Sequence, residues 1–142
     1  MILRLLLFLF LITSKISFAQ VCTADAILGE WTDEKKEVRI NCYKENGKYY
    51  SKLLWVENLK DKGKPLPKNE QHWINMIVMK DFVYSNGEWN NGKIYTPKTD
   101  KTYSAYIKYI NANTIQVTGY LWLRIFSESH IFNRIITKKK TT

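Results

Sequence analysis

Hydrophobic and polar residues alternate along much of this chain with a period of two. In 37–44, Val38, Ile40 and Cys42 fall on one face and Arg39, Asn41 and Tyr43 on the other, which predicts a strand with one buried side. In 114–122, Ile115, Val117 and Gly119 share one face, while Thr114, Gln116 and Thr118 share the other. Further strands are predicted over 28–33, 48–57, 76–84, 88–96, 102–110 and 127–136. Asn46-Gly47 and Asn86-Gly87 supply hairpin turns, because both residue types tolerate the positive φ that tight hairpins need. Asn111-Ala112-Asn113 makes a third hairpin, and Asn90-Asn91-Gly92 predicts a bulge. Short helical turns are expected at 23–28 and 71–75. The polar connection 58–71 contains Gly63, Pro65 and Pro67, so it cannot be a central strand. It reads as a surface excursion or as a lid over a site.

Eight short strands follow one another without a helix-period stretch long enough to cross a sheet. This pattern predicts an all-β protein, a single antiparallel up-and-down barrel. Gly29-Glu30-Trp31 on the first strand and Arg134 on the last are expected to close it. The indole would plug one end, and the guanidinium would lie over its face. That contact ties the first strand to the last and removes the open sheet edges.

Residues 1–19 change the picture of where the protein works. Arg4 precedes an apolar run over 5–12, and Ser17-Phe18-Ala19 has the small-x-small form of a cleavage site. This is the layout of a secretory signal peptide, and the apolar run is much shorter than the roughly 20 residues of a spanning helix. The expected product is periplasmic or secreted, with a barrel domain over 20–137, a basic tail over 138–142 and no transmembrane segment. Loss of Arg4 and Lys15 lowers the formal charge from +9 to +7. Three of those charges are Lys138, Lys139 and Lys140 in the tail. The rest are spread out, which does not call for nucleic acid but permits weak contact with anionic surfaces. Cys22 and Cys42 both survive cleavage. In an oxidising compartment they either form a disulfide, worth on the order of 3 kcal/mol by loop-closure entropy, or remain as two thiols with Cys42 buried.

Candidate chemistry is sparse. Lys52, Tyr95, Tyr103 and Tyr120 are the strand residues suited to hold the head group of an amphipathic ligand at a barrel mouth. They serve equally well as a solvated lysine and cross-strand tyrosines. His72 and His130 lack the three or four convergent ligands of a zinc site, so no metal and no cofactor are expected. The serines have no evident base partner and the acids no pair, so the expectation is a protein without catalytic activity.

Several segments in fixed order resemble one family. They are 27–31 (Ile-Leu-Gly-Glu-Trp), 47–55, 86–97 with Asn86-Gly87-Glu88-Trp89, 101–105, 117–120, and Phe132-Asn133-Arg134. The chain resembles the bacterial exported proteins called domain of unknown function 2147, over roughly 26–135. The resemblance implies a lipocalin-like barrel and a signal-bearing precursor, with no established activity. The chain departs from the family pattern at Ser51 and Asp100, where glycine is usual, at Thr96, where aspartate is usual, and at Phe132, where tryptophan is usual. The expected function is binding of a small hydrophobic or amphipathic molecule. The alternative is an envelope-associated interaction or structural module with a filled barrel.

Overall fold

The computed structural model describes residues 22–58, 60–121 and 127–137. The expected signal peptide and basic tail lie outside these residues, as does Trp122. Eight strands form a closed antiparallel barrel in simple up-and-down order: β1 Gly29–Asp33, β2 Val38–Glu45, β3 Lys48–Val56, β4 Ile77–Ser85, β5 Glu88–Thr96, β6 Lys101–Asn111, β7 Thr114–Tyr120 and β8 Ser127–Arg134. β1 pairs with β8, with Trp31 opposite Arg134. Short 3-10 turns occupy Ala24–Ile27 and Gln71–Trp73.

The local signals act where they were expected. Asn46 and Gly47 have φ of 49° and 75°, and Asn86 and Gly87 have 52° and 79°, so both hairpins use the positive-φ turn chemistry. The register of β5 against β6 shifts between Trp89 and Gly92, with Asn91 at φ 59°. This is the bulge signalled by Asn90-Asn91-Gly92. The Asp33 carboxylate accepts the N–H groups of Glu37 at 2.7 Å and Val38 at 2.8 Å, fixing the turn from β1 to β2.

The barrel has two unlike halves. One end holds the β2–β3, β4–β5 and β6–β7 hairpins and is packed solid. Trp31, Trp89, Phe82, Ile107 and Ile115 are each no more than 1 % exposed there. The turn Ala24–Ile27 lies across this end as a plug. The Trp31 indole donates to the Ile27 carbonyl at 2.8 Å, and the Trp89 indole donates to that of Ala24 at 2.9 Å. A large apolar ring with one donor at its edge suits this place, since the ring fills the core while the N–H satisfies a turn carbonyl. The other end carries the β1–β2 turn, the long β3–β4 connection and the β5–β6 turn, and it is open.

Candidate functional site

At the closed end the first and last strands are clasped. The Arg134 guanidinium lies 4.2 Å from the centre of the Trp31 ring. Its nitrogens donate to the carbonyls of Ala112 at 2.8 Å, Leu28 at 2.8 Å and Ala26. One side chain thus joins β8 to the plug and to the β6–β7 turn. Gly29 has φ +113°, a region that side chains disfavour, and a methyl group there would stand 3.2 Å from a guanidinium nitrogen. The glycine of Gly29-Glu30-Trp31 is therefore set by both backbone and space.

A second fastening links the plug to β2 and β3. Asp25 accepts from the Tyr49 hydroxyl at 2.6 Å and from Lys44 at 3.0 Å. The Tyr49 hydrogen bond, seconded by Lys44, holds the Asp25 carboxyl below the usual carboxylate range. Tyr84 reaches from β4 to the Cys22 carbonyl at 2.7 Å.

The open end is a cavity with three adjoining lobes of about 330, 430 and 690 Å3. Ile94 and Thr96 of β5 line all three, and Val38, Met79 and Phe132 line the first two. The walls are apolar because β2, β3, β4, β5 and β7 each direct alternate aliphatic residues inward. The rim is charged, with Glu37, Glu57, Glu70, Lys60 and Lys98 around the first lobe. The long connection bends back over this lobe. Its shape is fixed by Asn58, which is 8 % exposed; it donates to the Pro65 carbonyl at 3.1 Å and accepts the N–H groups of Lys60 and Asp61. Leu66 and Trp73 then contribute to the lining. This connection is part of the mouth.

Of the four sequence-predicted ligand residues, Tyr95 borders the first lobe and Tyr103 and Tyr120 the third, while Lys52 lines none of them. Lys52 is exposed on the outer wall, its ammonium 5.4 Å from the Tyr43 ring, because its neighbours Ser51 and Leu53 take the inward positions of β3. Tyr95 bonds through its hydroxyl to Asp100 at 3.0 Å, which orders the β5–β6 turn and raises the Tyr95 pKa. Tyr103 and Tyr120 both border the third lobe. Tyr120 also rests against Tyr106, ring centres 6.1 Å apart. The lining residues Ile94, Met79 and Val117 are unremarkable aliphatic strand positions. Their only sequence signal is the inward phase of the alternation.

Two inward polar groups lie deeper. Ser51 is fully buried, and its hydroxyl makes no hydrogen bond to protein. Opposite it across β2 and β3 is Cys42. Cys22 and Cys42 are free thiols. Burial pushes the Cys42 thiol up to about 12 against the opposing pull of Arg134. Since thiolate is the reactive form, a disulfide-exchange reagent at pH 8 is expected to modify Cys22 alone in native protein, and both thiols only in denaturant. Absence of free thiol in denaturant would establish a bridge instead. Among the described residues no three His, Cys, Asp or Glu side chains converge as metal ligands.

Comparison with known proteins agrees with this architecture. Residues 29–134 match the family model described as "Uncharacterized protein conserved in bacteria (DUF2147)". No curated protein matches the sequence. Among solved structures, the chain is similar to protein HP1028 from Helicobacter pylori, which is described as belonging to the lipocalin family. The TM-score is 0.59 at 15 % identity, over 78 % of this chain and 83 % of that one. At this identity the likeness is one of fold.

Proposed function

We propose that this chain, which belongs to the DUF2147 family of bacterial proteins, is an exported, non-catalytic carrier of a small hydrophobic or amphipathic molecule. The observation that carries this reading is the division of the barrel into a packed end and an apolar cavity at the mouth. An eight-stranded barrel can fill its interior with its own side chains or leave room for one small ligand. Pockets for small ligands run from about 300 Å3 upward, and each of the second and third lobes is larger than that. Apolar walls with charges confined to the rim suit a molecule whose tail is buried and whose head stays in water. The alternative of a filled barrel draws support only from the packed end. Export rests on residues 1–19, whose charged start, apolar run and small-residue site fit a signal peptide.

The test is a fluorescent apolar probe, N-phenyl-1-naphthylamine, titrated into the mature protein. Saturable enhancement is expected. Ile94 borders every lobe, so Ile94→Trp should weaken probe binding at least about 10-fold, the loss of roughly 1.4 kcal/mol of apolar contact, while the thermal midpoint stays near that of the parent. Native mass spectrometry of protein purified from its own host supplies a second readout. No saturable enhancement, together with no co-purifying molecule, would sink the carrier reading.

A further inference from the structure

A second surface lies on the outer wall, just below the mouth. Lys80 of β4 and Lys93 of β5 stand directly opposite each other across the two strands. Both are exposed, and among the described residues neither makes an ion pair with an acid. Like charges in this relation repel and destabilise the pairing. The acids near this wall are already engaged: Asp81 by Lys48 at 3.6 Å and by the Tyr50 hydroxyl at 3.3 Å, and Asp100 by the Tyr95 hydroxyl at 3.0 Å. The two lysines border a groove of about 290 Å3 with Tyr50, Tyr95, Ile77 and Thr102. An anion seated between the ammonium groups would turn their repulsion into binding, with the Thr102 hydroxyl as a further donor.

An exposed apolar residue lining the groove, and a second on the neighbouring strand β3, identify the source of that anion. Ile77, paired with Lys52 across β3 and β4, is 44 % exposed, and Trp55 is 40 % exposed under Arg39, whose guanidinium is 5.5 Å from the indole centre. A free phosphate would leave an exposed isoleucine and indole without a role. At a bilayer both have a place, because tryptophan and tyrosine favour the headgroup level and lysine and arginine favour anionic lipid. We propose that this outer wall docks on an anionic phospholipid surface, with a lipid phosphate held between Lys80 and Lys93. Docking there brings the barrel mouth, a few residues away on the same strands, to the lipid. The groove shares Val78 and Tyr95 with the first lobe, but Lys80 and Lys93 line no lobe of the cavity, so docking through them holds whether or not the barrel carries a ligand.

The experiment is co-sedimentation of the full mature chain with vesicles of phosphatidylcholine, alone or mixed with phosphatidylglycerol. Binding is expected only to the mixed vesicles. Each lysine near such a surface contributes roughly 5-fold in affinity, so Lys80→Gln with Lys93→Gln should lower binding about 25-fold. The same pair should leave the thermal midpoint unchanged or raised, because a repulsion has been removed. Lys44→Gln with Lys108→Gln removes the same charge from the closed end and should retain binding within about 3-fold, as those charges lie beyond short-range contact with the lipid. Inorganic phosphate should displace no more protein than chloride of equal ionic strength. Failure to sediment with mixed vesicles, equal binding to neutral ones, equal loss in both double variants, or specific displacement by phosphate would each overturn the proposal.

Discussion

Replacing Arg134 by alanine is expected to destabilise the barrel by about 3–5 kcal/mol, the range for loss of a charged network with partial uncovering of a core ring. The size follows from how many things one side chain does. It covers the Trp31 indole at 4.2 Å and donates to three carbonyls, those of Ala112, Leu28 and Ala26. Those carbonyls belong to the plug (Ala26), to the residue joining it to β1 (Leu28) and to the β6–β7 turn (Ala112), so losing these contacts loosens both the seam and the cap. For a domain of this size the thermal midpoint should fall by about 10–20 °C. Arg134→Lys should recover less than half, since one ammonium keeps the charge but cannot reproduce a planar fork. A midpoint within about 2 °C of the parent for the alanine variant, or full recovery by lysine, would show that the clasp is not what closes the barrel.

The second large effect is at Gly92. Its backbone needs no glycine, but a methyl group added there would fall on the ring of Phe82. That ring is 1 % exposed, packed in the same core as Trp89 and Ile107, and has nowhere to retreat. Gly92→Ala is expected to cost about 2–4 kcal/mol through overpacking. A glycine inside a strand ordinarily weakens it, and here the bulge at Asn90-Asn91-Gly92 makes room for an aromatic ring to cover the bare backbone. Phe82→Leu alone should cost on the order of 1 kcal/mol. Combining it with Gly92→Ala should be less harmful than the sum of the two, since each change relieves the other. Denaturant unfolding of the four proteins measures that coupling. Strict additivity would mean that the ring and the glycine do not constrain each other.

Much of the fold was legible because its signals are local. The alternation of Val38, Ile40 and Cys42 marks an inward face, and Asn-Gly marks a turn, whatever the rest of the chain does. Even the closing contact was readable, because Gly29-Glu30-Trp31 and Arg134 have few other reasons to occur at opposite ends of such a chain. The candidate site was less legible. Lys52 was expected at the mouth and stands on the outer wall, whereas Tyr95, Tyr103 and Tyr120 border the cavity, Tyr95 with its hydroxyl given to Asp100. Polar residues attract attention in a sequence, but a carrier's cavity is made of side chains like Ile94 and Val117 that look the same whether they meet a ligand or each other.

The strand count, the turn positions, the meander and the pair that joins its ends are written in local residue patterns. That one end is solid and the other hollow emerges only from the packed barrel. Only there does the Ala24–Ile27 plug meet a second indole, from Trp89, and only there do Lys80 and Lys93 face each other. The reason is register. Shifts between Arg39 and Ile40 and between Tyr49 and Lys52, which no local signal marked, change which residues meet across strands. Such a shift depends on partners distant in the chain rather than on any neighbour in the sequence.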